Sequence, residues 1–174
     1  NGDIINYDIF PSFIKSRKKM TYDNVNEILE NNNIPEGYEE FANTLKQMNE
    51  LAHILRKKKV NRGYIEFDIP EAKIIQDELG RAIDIKKREQ RSGEKLIEDF
   101  MIAANETVAT HISNMELPFI YRIHDLPNAD KIEDFLNLVK ALGYQIKTNI
   151  KEITPKTMQK LLEELRDKPE FMIL

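Results

Sequence analysis

The chain has 174 residues, of which 41% are hydrophobic and 32% charged, a balance suited to one folded domain and not to a disordered tail. No apolar run approaches the roughly 20 residues that span a bilayer, and the lack of cysteine excludes disulfides, thiol catalysis and thiolate zinc sites. His53, His111 and His124 do not form an H-E-x-x-H pattern, and a net charge of −4 does not by itself point to nucleic acid.

The sequence opens at Asn1 without an initiator Met or a secretory signal, and closes on the apolar run Phe171-Met172-Ile173-Leu174. Both ends are expected to be cuts in a longer chain, leaving part of any active site outside it. Residues 2–19 are rich in β-branched and aromatic side chains (Ile4, Ile5, Tyr7, Ile9, Phe13, Ile14). That composition predicts two antiparallel strands turning near Pro11-Ser12. Thr21 is the expected N-cap of a short helix that buries Val25, Ile28 and Leu29 and ends at Asn31-Asn32-Asn33 and Pro35. A long helix over about 38–59 follows from Phe41, Leu45, Met48, Ala52 and Leu55, with Gly63 ending it.

Tyr64 to Phe67 reads as a short strand. Segments 72–76 and 82–86 read as a hairpin around Asp77-Glu78-Leu79-Gly80, with Ile83 and Ile85 on a dry face. Ser92 opens a second long helix to about 115, with Ile97, Met101, Ala104, Val108, His111, Ile112 and Met115 as its buried stripe. Phe119 to Ile123 reads as a buried strand. Two more helices are expected. One covers about 129–142 and buries Ile132, Phe135, Leu136, Val139 and Leu142, with Gly143 beyond it. The other starts at Thr154-Pro155 and buries Met158, Leu161, Leu162 and Leu165. The order of elements implies an α+β fold, mixed helices with short antiparallel strands.

Three basic clusters interrupt the acidic chain: Lys15 to Lys19, Arg56 to Lys59 with Arg62, and Lys86 to Arg88 with Arg91. They lie at element ends, where they either meet as a phosphate-tracking groove or remain solvated ends. Glu98 and Asn105 are seven residues apart on one helix and so point the same way. Glu98 borders the apolar stripe, as a rim carboxylate or as a half-buried recognition group. Tyr22 and Phe67 pattern as core aromatics, and His124 as a structural histidine beside Asp125 or a base. No acidic cluster of the Mg²⁺-binding kind, no Gly-rich phosphate loop and no G-x-S-x-G occurs.

Several segments in fixed order carry a resemblance: Met20-Thr21-Tyr22-Asp23-Asn24-Val25; Arg62-Gly63 before a strand ending in Phe67; Pro70-Glu71-Ala72-Lys73; Leu96 to Asn105; and Tyr121-Arg122-Ile123-His124-Asp125-Leu126-Pro127. Together they resemble the ribonuclease II/R (RNB) family of 3′→5′ exoribonucleases, nearer its R branch, over nearly the whole chain. The resemblance implies that residues 1–174 are the central part of a single RNB-type catalytic domain. The cold-shock and S1 domains and both ends of the catalytic domain would lie outside it.

Such enzymes are cytoplasmic and degrade single-stranded RNA processively to nucleoside 5′-monophosphates. The Mg²⁺ is held by an aspartate cluster upstream of this segment, and a catalytic arginine lies in a Ser-Pro-Ile-Arg-Arg-Tyr motif downstream. No catalytic residue and no metal ligand is therefore expected here, and the fragment alone is expected to be inactive. Three residues carry over as RNA contacts. Tyr22 and Glu98 correspond to groups that touch ribose 2′-hydroxyls, and Phe67 to an aromatic that clamps terminal nucleotides. Self-association through truncated surfaces, without a membrane partner, is expected of the fragment. The alternative is a non-enzymatic helical interaction or nucleic-acid-binding module. A helix-turn-helix over 21–55 is disfavoured because its interhelix segment exceeds the usual turn of about 3–4 residues.

Overall fold

A computed structural model describes residues 1–65, 71–123, 127–144, 153–166 and 168–169. Among them are five helices and one two-stranded antiparallel sheet, an α+β fold. The chain divides into two compact units, Asn1–Lys58 with Phe67–Thr110, and Lys59–Glu66 with His111–Leu174.

In the first unit, α1 (Tyr22–Glu30) begins at Thr21, whose extended backbone and side-chain oxygen accept the helix: Thr21 Oγ1 takes the Asn24 N–H at 3.4 Å. Val25, Ile28, Tyr38, Ala42 and Leu45 form the buried cluster where α1 meets α2 (Glu39–Asn61), with Met20, Leu29, Phe41 and Met48 packed around it. Full burial of a side chain such as Ile28 contributes about 1.5–3 kcal/mol. Tyr38 adds a polar tie: its buried hydroxyl accepts the Thr21 N–H at 3.3 Å and an Asn24 Nδ2 hydrogen at 3.2 Å. The donated bond from Asn24, ahead of that from Thr21, lowers the Tyr38 pKa below its usual value.

Two further residues of α1 hold the start of α3 (Ser92–Asn114). Asn26 is fully buried; its Oδ1 accepts the Gly93 N–H at 2.7 Å and its Nδ2 donates to Glu94 Oε2 at 3.2 Å. Glu30 Oε1 accepts the Ser92 N–H at 2.9 Å, and Oε2 takes Arg91 Nε at 2.9 Å and Nη2 at 2.7 Å. Opening amides of a helix have no intrahelical acceptor; here α1 supplies it from a distant part of the chain. Between one and two turns further along α3, buried Asp99 receives Arg56 Nε of α2 at 2.8 Å.

These polar anchors explain a difference from the expected packing of α3. Its buried positions are Gly93, Leu96 and Asp99, whereas Ile97, Met101, Val108 and Met115 of the expected stripe are exposed. Bonds from Asn26 and Arg56 choose which side faces inward, and the apolar stripe turns outward.

The hairpin forms where expected, β1 (Glu71–Gln76) against β2 (Ala82–Arg88), with a bulge between Ile75 and Gln76. Asp77 closes the turn by accepting the Leu79 and Arg81 N–H groups, and Gly80 takes φ +77°. The expected dry face is absent: all of β2, Ile83 and Ile85 included, is exposed. Nor do residues 2–19 form strands. They have no regular structure, and Ile5, Phe13 and Ile14 lie more than nine-tenths exposed. Residues 119–123 are likewise irregular and exposed instead of a buried strand. β-Propensity makes a strand only where a ladder partner exists, and among the described residues neither segment has one. Tyr64 and Ile65 are irregular too, and the remainder of that expected strand lies outside the described residues.

The second unit contains the close of α2, the end of α3, α4 (Ala129–Ala141) and α5 (Pro155–Leu165), with Leu136, Val139 and Leu165 buried. α2 and α4 end alike. Gly63 (φ +98°) sends its N–H to Val60 O while Tyr64 reaches Lys59 O; Gly143 (φ +91°) and Tyr144 do the same to Lys140 and Val139. Lys59 is buried with its Nζ 3.9 Å from the Tyr64 ring centroid. Thr154 and Thr157 form a reciprocal capping box ahead of α5.

Two outcomes are expected in unfolding experiments on this chain. Asn26→Ala leaves the buried Gly93 N–H without its acceptor and lowers stability by about 1–3 kcal/mol in a urea titration. The Ser92 N–H, and after it Arg91, holds the Glu30 carboxyl below its usual 4.5. The ionised form is therefore favoured by folding, and its contribution is complete above that ordinary value and lost as pH falls through the depressed one. Stability measured from pH 6 downward falls more steeply for wild type than for Glu30→Gln; equal slopes would contradict the tie.

Candidate nucleic-acid interface

The first unit contains an open cleft of about 1380 Å³. Its floor is apolar, built from Val25 of α1, Phe41, Leu45 and Met48 of α2, Ile75 of β1, and Leu96 and Ile97 of α3. Its rim is charged: Lys86, Lys87, Arg88, Glu89 and Arg91 on one part, Asp23 and Glu94 on another. An apolar floor under a cationic edge suits a ligand with flat faces and anionic links, as single-stranded nucleic acid has.

Tyr22 lies at this cleft. It is the first residue of α1, 46% exposed, and its Cδ1 lies 3.5 Å from the place a Cβ on Gly93 would occupy. The core position that pattern alone favoured is therefore not the one observed. Glu98 sits on α3 with a third of its side chain exposed, 4.0 Å from Arg56 Nη2. It is not among the residues lining the cleft. Asn105 is exposed on the same helix. Phe67, His124 and Asp125 lie outside the described residues.

The three basic clusters do not converge on one groove. Only Lys86 to Arg88 with Arg91 line the cleft. In the first cluster, Arg17 pairs with Glu40 and lies 5.4 Å from the Phe41 ring centroid, and Lys18 Nζ lies 4.9 Å from that of Tyr38. In the second, Arg56 is tied to Asp99 and Lys58 to Asp3 at 2.5 Å, while Lys59 is buried. Arg91 keeps its bond to Glu30, which raises its pKa further.

Lys86 Nζ lies 3.8 Å from Asp84 Oδ2 on the same strand. Among the described residues no three His, Asp or Glu side chains converge as metal ligands would. No helix among the described residues is long and apolar enough to cross a membrane.

Sequence reasoning missed Asn26, Glu30 and Gly93, which join α1 to the start of α3. A signal was present: Tyr22, Asn26 and Glu30 recur every four residues, a polar row along one edge of the apolar stripe of α1.

The model of the RNB domain family matches residues 1–174. Ribonuclease R 1 of Lactococcus lactis is 42% identical over 174 residues, 99% of this chain and 21% of that protein. Ribonuclease R of Thermotoga maritima is 43% identical over 170 residues, 97% of this chain and 24% of that protein. The chain thus spans between a fifth and a quarter of the length of these relatives. Among solved structures, Mycoplasma genitalium RNase R in complex with ribose-methylated single-stranded RNA superposes with a TM-score of 0.79 at 29% identity, covering 87% of this chain and 24% of that one. The same enzyme in complex with double-stranded RNA gives a TM-score of 0.80 at 29% identity, covering 87% and 27%. With a family model matched from end to end and relatives of one kind on both comparisons, the chain belongs to the RNB domain family.

Proposed function

We propose that this chain is the central part of a single RNB-type catalytic domain in a processive 3′→5′ exoribonuclease that hydrolyses RNA to nucleoside 5′-monophosphates. Its own contribution is a wall of the channel that grips single-stranded RNA. The observation that carries the reading is the cleft: an apolar floor, the half-exposed Tyr22 at its edge, and the basic strand end Lys86 to Arg88. The relatives' names and the RNA in the Mycoplasma genitalium complexes support the same substrate class.

In this reading Tyr22 and Glu98 contact ribose 2′-hydroxyls, the one group that DNA lacks. A carboxylate accepts the hydroxyl proton, and a phenol donates or accepts. Phe67 stacks on a terminal base without regard to its identity. Lys86, Lys87 and Arg88 neutralise backbone phosphates. Mg²⁺ would be held by aspartates outside this chain, and the setting is the cytoplasm.

Two outcomes follow for activity. The 174 residues alone, supplied with Mg²⁺, release no mononucleotides from single-stranded RNA; release would contradict the placing of the catalytic centre elsewhere. In the full-length enzyme, Glu98→Ala and Tyr22→Ala relax the choice of sugar more than they slow RNA cleavage. Phe67→Ala instead weakens binding by about 1–3 kcal/mol, the loss of one base stack, and changes the length of the final product. Time courses on matched RNA and DNA oligomers separate these effects. Rejection of DNA by the Glu98 and Tyr22 variants as firm as by wild type would overturn their assignment.

A further inference from the structure

Gly93 is a glycine in the first turn of a helix, a residue type of low helix propensity. Its backbone is not in the left-handed region, so conformation does not demand it. Space does. A Cβ at this position would lie 3.1 Å from Asn26 Oδ1, 3.4 Å from Val25 Cγ1 and 3.5 Å from Tyr22 Cδ1. The first of these is tighter than ordinary contact, and Asn26 has no room to yield because it is fully buried and bonded to both Gly93 and Glu94.

The polar row of α1 thus meets α3 at one place. Glu30 takes the Ser92 N–H, Asn26 takes the Gly93 N–H, and Tyr22 Cδ1 lies 3.5 Å from where a Cβ on Gly93 would sit, the distance of an ordinary contact. Those two amides of α3 already have acceptors, so they are not offered to an anion. What the junction leaves exposed is the Tyr22 side chain at the cleft. A hydroxyl–hydroxyl hydrogen bond requires about 2.5–3.0 Å between oxygens, so a ring that drifts by a few tenths of an ångström discriminates poorly.

We propose that Gly93, together with Asn26, is a positioning residue for sugar discrimination: the missing side chain leaves room for the short Asn26–Gly93 bond, which fixes α1 against α3 and with it the Tyr22 ring that opens α1. The proposal rests on the reading of Tyr22 as a 2′-hydroxyl contact.

The test uses the full-length enzyme with matched RNA and 2′-deoxy oligomers, comparing Gly93→Ala, Tyr22→Ala and the double variant, with thermal melting of each. Gly93→Ala is expected to reduce the RNA-over-DNA preference about tenfold, the scale of one lost hydrogen bond. In the double variant the preference is no lower than in Tyr22→Ala alone, although the melting temperature falls further. Asn26→Ser, too short to reach the Gly93 amide, is expected to reproduce the loss if Gly93→Ala does not fold. Wild-type preference in Gly93→Ala or Asn26→Ser, with a reduced one in Tyr22→Ala, overturns the inference and leaves the reading of Tyr22 standing. An additive loss in the double variant overturns it too, because Gly93 would then act independently of Tyr22. Wild-type preference in Tyr22→Ala overturns both.

Discussion

The first unit depends on α1 satisfying the opening amides of α3. A helix begins with N–H groups that its own backbone leaves unbonded, and a buried one left so costs about 1–3 kcal/mol. Asn26 and Glu30 remove that cost for Gly93 and Ser92, and Arg91 locks onto the same carboxylate. Because the acceptors come from another helix, the bonds also fix the rotation of α3 about its axis. Asp99, bound to Arg56, repeats the constraint one to two turns later. With two polar pins on one side, the helix has no freedom to bury its most apolar stripe.

The same junction shapes the cleft. Tyr22 opens α1 while Gly93 and Leu96 lie on the facing part of α3, so a side chain at the helix junction becomes part of the wall. Electrostatics then divide the basic residues by role. Arg17, Lys18, Arg56 and Lys58 have partners within the protein. Those on the end of β2 line the cleft, with Lys86 also 3.8 Å from Asp84.

What could be read from the sequence follows the range of the interactions. Thr21, Gly63, Gly143 and Thr154 act on backbone within a few residues, and the helix ends fall where those residues place them. The Asp77–Gly80 turn is equally local, and so is the hairpin. Strand expectations at 2–19 and 119–123 failed because pairing is a relation between segments and composition describes only one of them. The buried side of α3 was illegible for the same reason: it is chosen by bonds spanning 67 and 43 positions along the chain. Tyr22 is read as an RNA contact only through family resemblance. Its aromatic character argued for the core, and nothing local reveals that its neighbour across the junction is a glycine.

The central claim is that α1 caps α3, and amide hydrogen exchange measures it directly. Ser92 and Gly93 open a helix, where uncapped amides exchange nearly as fast as in an unfolded chain. The account predicts that both amides are protected to the same degree as the interior of α1, and that Asn26→Ala removes protection at Gly93 while leaving Thr21-capped Asn24 unchanged. Rapid exchange at Ser92 and Gly93 in the wild-type protein would contradict it.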